Sequence, residues 1–201
     1  MRLVVAHKPL RRILRWTQGG LFACGVVLLA YCGFVLWDAH NFERVERARF
    51  DSLLKDQATR LTAPTVLPPS VSGDLIGSID ISRIGLSAIV VEGTNRTSLR
   101  RAVGHIEGTA VPGQSGNVGI AGHRDTFFRP LRDVRENDII TLTTLAGEYR
   151  YRVVFTKVVG PNEVTVLDPS GSEILTLVTC YPFYFVGPAP DRFIVRAERV
   201  T

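Results

Sequence analysis

A chain of 201 residues with 45% hydrophobic content has room for one packed domain and an appendage, and that apolar content excludes a disordered chain. The formal charge of +5 is concentrated in one place: Arg2, Lys8, Arg11, Arg12 and Arg15 precede residue 19 with no acid among them, and the other 19 cations balance the 19 acids. The basic character belongs to an N-terminal tail, which excludes a nucleic-acid-binding face built from basic residues with interleaved aromatics.

Residues 1–18 form this tail, and residues 19–37, GGLFACGVVLLAYCGFVLW, follow without a charge. As a helix rising about 1.5 Å per residue, such a segment spans roughly 28 Å, close to the hydrocarbon thickness of a bilayer. It predicts a single membrane crossing with Trp16 and Trp37 at the two interfaces. The cation bias places residues 1–18 in the cytoplasm and the chain after residue 38 outside. A cleavable signal peptide has a shorter apolar region and small residues before the cut, which Trp37, Asp38 and Ala39 do not supply. Phe22 and Tyr31 interrupt the approach to Cys24 and Cys32 that a lipoprotein signal would need. A buried helix of a soluble protein would not call for the clustered cations.

Residues 38–61 place Phe42, Val45, Phe50, Leu53, Leu54 and Leu61 among dense mixed charge. This pattern predicts a helix with a thin apolar stripe, either projecting from the membrane or resting on the domain edge. TAPTVLPPSVSG, residues 62–73, brings three prolines and no charge, and reads as a linker closing a juxtamembrane segment, 38–73. The folded domain is expected over 74–201.

From Asp74 onward the pattern is of short β-rich runs bounded by glycine, proline and asparagine. LIGSIDI and LSAIVVE flank SRIG as a hairpin, NVGIAG and DIITLTT follow, EYRYRVVFTKVV pairs back across LAG, and ILTLVTC and RFIVRAE complete the set. TSLRRAVG and FFRPLRDV carry the better helical signals. The fold class is all-β, with about eight strands forming a closed or nearly closed barrel; an open sandwich is the second choice.

Three residues at strand ends can carry chemistry. Cys180 ends ILTLVTC with no cysteine partner in the domain, although thiols outside the cytoplasm tend to oxidise in pairs. Its plain reading is a small buried hydrophobe. Arg192 lies 12 residues on, beyond a loop rich in proline and glycine, so RFIVRAE can return beside ILTLVTC and bring the guanidinium to the thiol. A fixed positive charge there lowers a thiol's pKa and steadies an oxyanion; a surface ion pair to Asp191 is the plain alternative. His123 follows NVGIAG directly, and a histidine is the side chain best poised to protonate a leaving amine near neutral pH.

TLVTC followed by APDRFIVRA, and GNVGIAGHRDTFF before them, resemble the sortases; the lead-in GHIEGTAVPGQSGN is similar to class D sortases in particular. The resemblance covers residues 74–201 and implies a membrane-anchored cysteine transpeptidase on an eight-stranded sortase-type β-barrel. It implies that His123, Cys180 and Arg192 match the family's catalytic residues. It also implies a thioacyl-enzyme formed on an LPxTG-like sorting signal of an exported protein, with transfer to an amine such as a cell-wall peptide or a pilin lysine. Thr179, His105 and Thr109 are expected to border the substrate groove, and Asp125 to orient His123. Local structural roles stay open for all four.

Two other classes remain. One is an extracytoplasmic cysteine peptidase, in which water takes the acyl group; the papain-like order of cysteine before histidine is reversed here, and the SHGC string of peptidoglycan L,D-transpeptidases is missing. The other is an anchored binding barrel with an inert thiol. His105, His123, Asp125 and Cys180 match no common structural zinc spacing, and no acidic cluster suggests calcium, so no cofactor or metal is expected.

Overall fold

The computed structural model describes residues 8–59, 74–185 and 187–200. The start of the basic tail, residues 1–7, and the linker at 62–73 lie outside the described residues. A single helix, α1, runs without a break over Lys8–Thr59, through both the apolar segment and the charged segment after it. Two compact units divide the chain, one up to His40 and one from Asn41.

In the first unit the side chains from Leu14 onward are almost all exposed, Trp16, Leu21, Phe22 and Leu29 among them. The helix is long and apolar enough to cross a membrane, and apolar residues all round a helix suit a lipid surround.

The second unit is a closed barrel whose strands run in the order β1-β2-β3-β4-β7-β8-β6-β5. The strands are β1 Leu75–Ile81, β2 Leu86–Glu92, β3 Val103–His105, β4 Gly116–Ala121, β5 Ile139–Thr144, β6 Gly147–Val159, β7 Glu173–Tyr181 and β8 Asp191–Arg199. The neighbours β2/β3 and β4/β7 are parallel and the rest antiparallel, with β1 pairing β5 to close the wall. Closure leaves no unpaired sheet edge. Alternation fills the interior: Ile79, Ile81, Val90, Val118, Ile120, Leu142, Val153, Leu175, Leu177 and Val195 point inward and form one buried cluster.

Every strand read from the sequence is present, and β3 is the one that was not read. Its three residues fall at the end of the helical-looking TSLRRAVG, where α2 covers only Arg96–Arg101. Asn95 caps α2, its side-chain oxygen accepting from the backbone N–H groups of Thr97 and Ser98, and the strand begins two residues after the helix stops. FFRPLRDV forms a 3-10 turn over Arg129–Asp133.

Strand β2 is apolar on both faces, and the second face has a separate cover. Ala88 and Val90 enter the barrel, whereas Ile89 and Val91 point outward into a small cluster with Ala102, against which Phe42 of α1 packs. Arg101 lies over the Phe42 ring at 5.5 Å, Arg47 donates to Ser87 Oγ at 3.0 Å, and Phe50 is buried. Of the two placements expected for the charged helix, contact with the domain is the one found. Burying a side chain the size of Phe50 contributes about 1.5–3 kcal/mol.

Candidate active site

Register brings the three strand-end residues into one row. Strands β4 and β7 pair in parallel up to Ala121↔Val178, and the ladder continues one step as Gly122 N donates to the Val178 carbonyl at 3.1 Å. Two residues on from that last pair stand His123 on one strand line and Cys180 on the other. Strands β7 and β8 are antiparallel, with Cys180 directly opposite Arg192.

The faces agree as well. Inward residues are Val118 and Ile120 on β4, Leu175 and Leu177 on β7, and Val195 and Ala197 on β8. The period of two therefore turns Cys180 and Arg192 to the outer face of the wall, and His123 stands at the same end of the wall, two residues past the end of β4. Directly opposed residues on one face of an antiparallel pair have Cβ atoms about 4.5–5.5 Å apart. Cys180 and Arg192 are half-buried, and His123 is exposed.

The outer face of this wall is covered at its lower part and open near the cysteine. A 3-10 turn over Val164–Leu167 lies across it. The Asn117 amide nitrogen donates to the Val166 and Asp168 carbonyls at 3.0 and 3.2 Å, and Arg196 donates to Val166 O at 3.0 Å. Burial pulls the Arg196 guanidinium down from its ordinary value. Gly119 lets this cover sit close: a Cβ there would stand 3.1 Å from Ile106, Leu167 and Thr109 side-chain carbons, which would have to give way slightly. Above it, Ala121 and Val178 form a half-buried apolar strip that leads to Cys180.

The loop leaving Cys180 is heavily tethered. Phe183 meets Tyr181 and Phe193 at ring separations of 6.1 and 5.3 Å, and both phenylalanines pack on the barrel core. Farther out, Tyr184 and Phe185 are exposed, with Arg132 over the Tyr184 ring at 5.7 Å and Arg124 over the Phe185 ring at 5.9 Å. Arg124 is itself buried. It donates to the carbonyls of Pro182 and Phe185 at 2.8 Å and of Gly187 at 3.0 Å.

The softer site expectations meet specific contacts. Thr179 points inward, buried, and donates from Oγ1 to the Gly122 carbonyl at 2.7 Å, so it ties β7 to the residue before His123. His105 is buried, with Nδ1 at 3.1 and 3.0 Å from the two Glu92 carboxylate oxygens and Nε2 at 2.9 Å from the Ala110 carbonyl oxygen. Thr109 Oγ1 donates to Ile106 O at 2.7 Å and accepts from Gly119 N at 3.1 Å, which holds the 106–110 turn against β4. Asp125 is mostly exposed, its carboxylate 3.5 Å from Arg124 Nε. Arg192 Nη1 donates to the carbonyls of Asp191 and Ala189 at 2.9 and 3.3 Å, so its contact with Asp191 is through the backbone. Among the described residues no three His, Cys, Asp or Glu side chains gather as metal ligands.

Sequence reasoning missed Arg124 and Glu92. Arg124 had one signal, its place directly after the histidine; Glu92 had none, because its partner stands 13 residues away on a parallel neighbour.

The structure is thus a closed barrel with a free thiol near the end of β7, an arginine opposite it on β8 and a histidine just beyond β4. The sequence profile of the Sortase domain family matches residues 79–200. Sortase D of Bacillus subtilis (strain 168) is 30% identical over 190 residues, covering 90% of this chain and 96% of that protein. Among solved structures, the Clostridium perfringens Sortase D5 transpeptidase superposes with a TM-score of 0.66 at 29% identity, over 80% of this chain and 99% of that one. Sortase C from Clostridium perfringens SM101 superposes with a TM-score of 0.60 at 26% identity, over 81% and 89%. The chain belongs to the sortase family of cysteine transpeptidases, and the similarity to class D sortases agrees with its motifs.

Proposed function

We propose that this sortase cuts an LPxTG-like sorting signal on an exported protein and passes the acyl group to an amine, with Cys180 as nucleophile, His123 as proton carrier and Arg192 as oxyanion and substrate clamp. The convergence of His123 just past β4, Cys180 on β7 and Arg192 opposite it on β8 supports this reading. The apolar strip of Ala121 and Val178 offers an extended peptide a surface that ends at the sulfur.

In the first step the Cys180 thiolate adds to the threonine carbonyl of the signal, and negative charge develops on its oxygen beside the Arg192 fork. Collapse breaks the amide C–N bond, and the leaving amine takes a proton from His123. An incoming amine then attacks the thioester, gives its proton back to His123 and restores the Cys180 sulfur. Thr179 serves this arrangement from inside the wall, through the Gly122 carbonyl, and not as a groove residue. Thr109 acts on the outer face by holding the 106–110 turn against Gly119, and His105 does so from within.

Residues 1–18 are a cytoplasmic tail, 19–37 a single-pass anchor, 38–73 a juxtamembrane segment and 74–201 the catalytic domain outside the membrane. The five cations before residue 19 and the uncharged run after them support that orientation.

The test incubates the full chain in detergent with a library of LPxTG-type peptides and amine acceptors, and reads intact mass. A thioacyl adduct on Cys180, discharged by an added amine and missing in Cys180→Ala, is expected. A folded protein that forms no adduct with any peptide would refute the reading.

A further inference from the structure

We infer that Arg124 is a positioning residue for acyl transfer, the brace that locks the cysteine's loop to the histidine's. This inference rests on the catalytic reading of His123, Cys180 and Arg192 given above. One guanidinium, on the residue next to His123, donates three hydrogen bonds to the segment joining Cys180 to Arg192, at Pro182, Phe185 and Gly187. Those three carbonyls span residues 182–187 of that connection, so one side chain sets the path by which the chain leaves the nucleophile and turns back towards the arginine.

The geometry is one that only arginine supplies. A planar fork with five N–H donors can reach several carbonyls at once, whereas a lysine ammonium is a compact point charge. The guanidinium is buried, and the nearby Asp125 carboxylate is mostly exposed at 3.5 Å. Carbonyl dipoles of the loop therefore carry much of its solvation, and the loop and the cation hold each other in place.

The consequence is catalytic, because Cys180 sits one residue before the end of β7 and His123 two residues past the end of β4, where the ladder no longer ties the two segments. A backbone hydrogen bond from Gly122 to Val178 and the Thr179 hydroxyl hold the strands just below the pair. Beyond it, Arg124 supplies the cross-tie. Aromatic packing of Phe183 and Phe193 anchors the base of the loop on the barrel core. Loss of the Arg124 tie leaves the thiol on its strand but lets the two loops move apart, and a displacement of about 1 Å between reacting groups costs roughly 100-fold in rate.

The test uses the full chain in detergent, an LPxTG-type fluorogenic peptide, and the variants Arg124→Met and Arg124→Lys. Arg124→Met is expected to lower kcat roughly 100-fold with KM within about 3-fold, the pattern of a lost geometric constraint and not of lost binding. Hydrogen exchange of the amides at 183–190 rises at least about 10-fold while β1 and β2 keep their protection, a local opening without global unfolding. Arg124→Lys keeps the charge and the stem, and is expected to remain roughly 10-fold below wild type because it cannot reach all three carbonyls. Should Arg124→Met fail to fold, the lysine variant carries the same two readouts.

Either folded variant with wild-type kcat, or with unchanged exchange at 183–190, overturns the inference. A Cys180→Ala protein that still transfers acyl groups, or a wild type that forms no thioacyl adduct, overturns the catalytic reading instead; the exchange measurement then still decides whether Arg124 holds the loop.

Discussion

Thr179→Val isolates one hydroxyl that links the barrel wall to the histidine segment. The side chain is buried, its Oγ1 is 2.7 Å from the Gly122 carbonyl oxygen, and valine keeps the branched shape, so the change opens no cavity. What is removed is a neutral side-chain to backbone hydrogen bond in a dry site, leaving a carbonyl that has lost a donor. Such a loss costs about 1–2 kcal/mol, and for a domain of this size that lowers Tm by about 2–8 °C. Because Gly122 directly precedes His123, the same change loosens the histidine, and kcat should fall by roughly 10-fold or more while KM changes little.

Calorimetry is the suitable stability assay. Both tryptophans, Trp16 and Trp37, lie in α1 and none in the barrel, so intrinsic tryptophan emission would not follow barrel unfolding. Thr179→Ser is the control: it restores the donor and gives up only a methyl group. If serine is as damaging as valine, packing and not the hydroxyl is responsible; if valine melts and turns over like wild type, the Thr179–Gly122 link has no role.

Two further substitutions test other parts of the structure. The Tyr151 hydroxyl is buried without a hydrogen-bond partner, and burial, then the Glu173 charge, push the phenol from 10.0 up to about 12. The neutral phenol's contribution to stability is therefore complete below pH 10 and lost as the pH rises towards 12, worth about 3 kcal/mol. Tyr151→Phe should remove that alkaline limb and be neutral or stabilising at pH 7, which urea titrations from pH 8 to 12 would check. Arg192→Lys should lose about 100- to 1,000-fold in kcat with an unchanged melting curve, because a point charge cannot copy the planar fork at a developing oxyanion; wild-type turnover would remove Arg192 from the mechanism.

How far the sequence could be read depended on whether the relevant physics is local. LSAIVVE, DIITLTT and ILTLVTC were legible as strands because β-branched and apolar residues recur between turn formers; the first matches its strand end to end and the other two differ from theirs by no more than one residue at either end. Strand β3 was not, since three residues make no period and a good helix cap at Asn95 stands just before them. The return of β8 beside β7 followed from the prolines and glycine between Cys180 and Arg192. The inward face of Thr179 was within reach of the same alternation, which sets it opposite to Cys180. The partners of His105 and Arg124 were not, because a buried His105–Glu92 pair and a guanidinium on loop carbonyls are made by distant chain segments. Nothing in the string HRDT distinguishes an arginine bonded to Pro182 from one bonded to water.

The register explains why the three site residues stand where they do in the sequence. In a parallel pair the residue offset is constant, so the 57-residue offset between Ala121 and Val178 also relates His123 to Cys180. In an antiparallel pair the two numbers change in opposite directions, so Cys180 meets Arg192 only if the connection between them keeps its pairing. A slip of one residue in β7 would turn Cys180 into the barrel core and Thr179 out to solvent. The buried Thr179 hydroxyl resists that slip from inside, while the Leu175 and Leu177 side chains hold their places in the core. The position of the thiol is thus set by hydrophobic alternation along the whole strand, and the tethers just before and just after it, Thr179 to Gly122 and Arg124 to the loop, act on what remains: the distance from that thiol to the histidine.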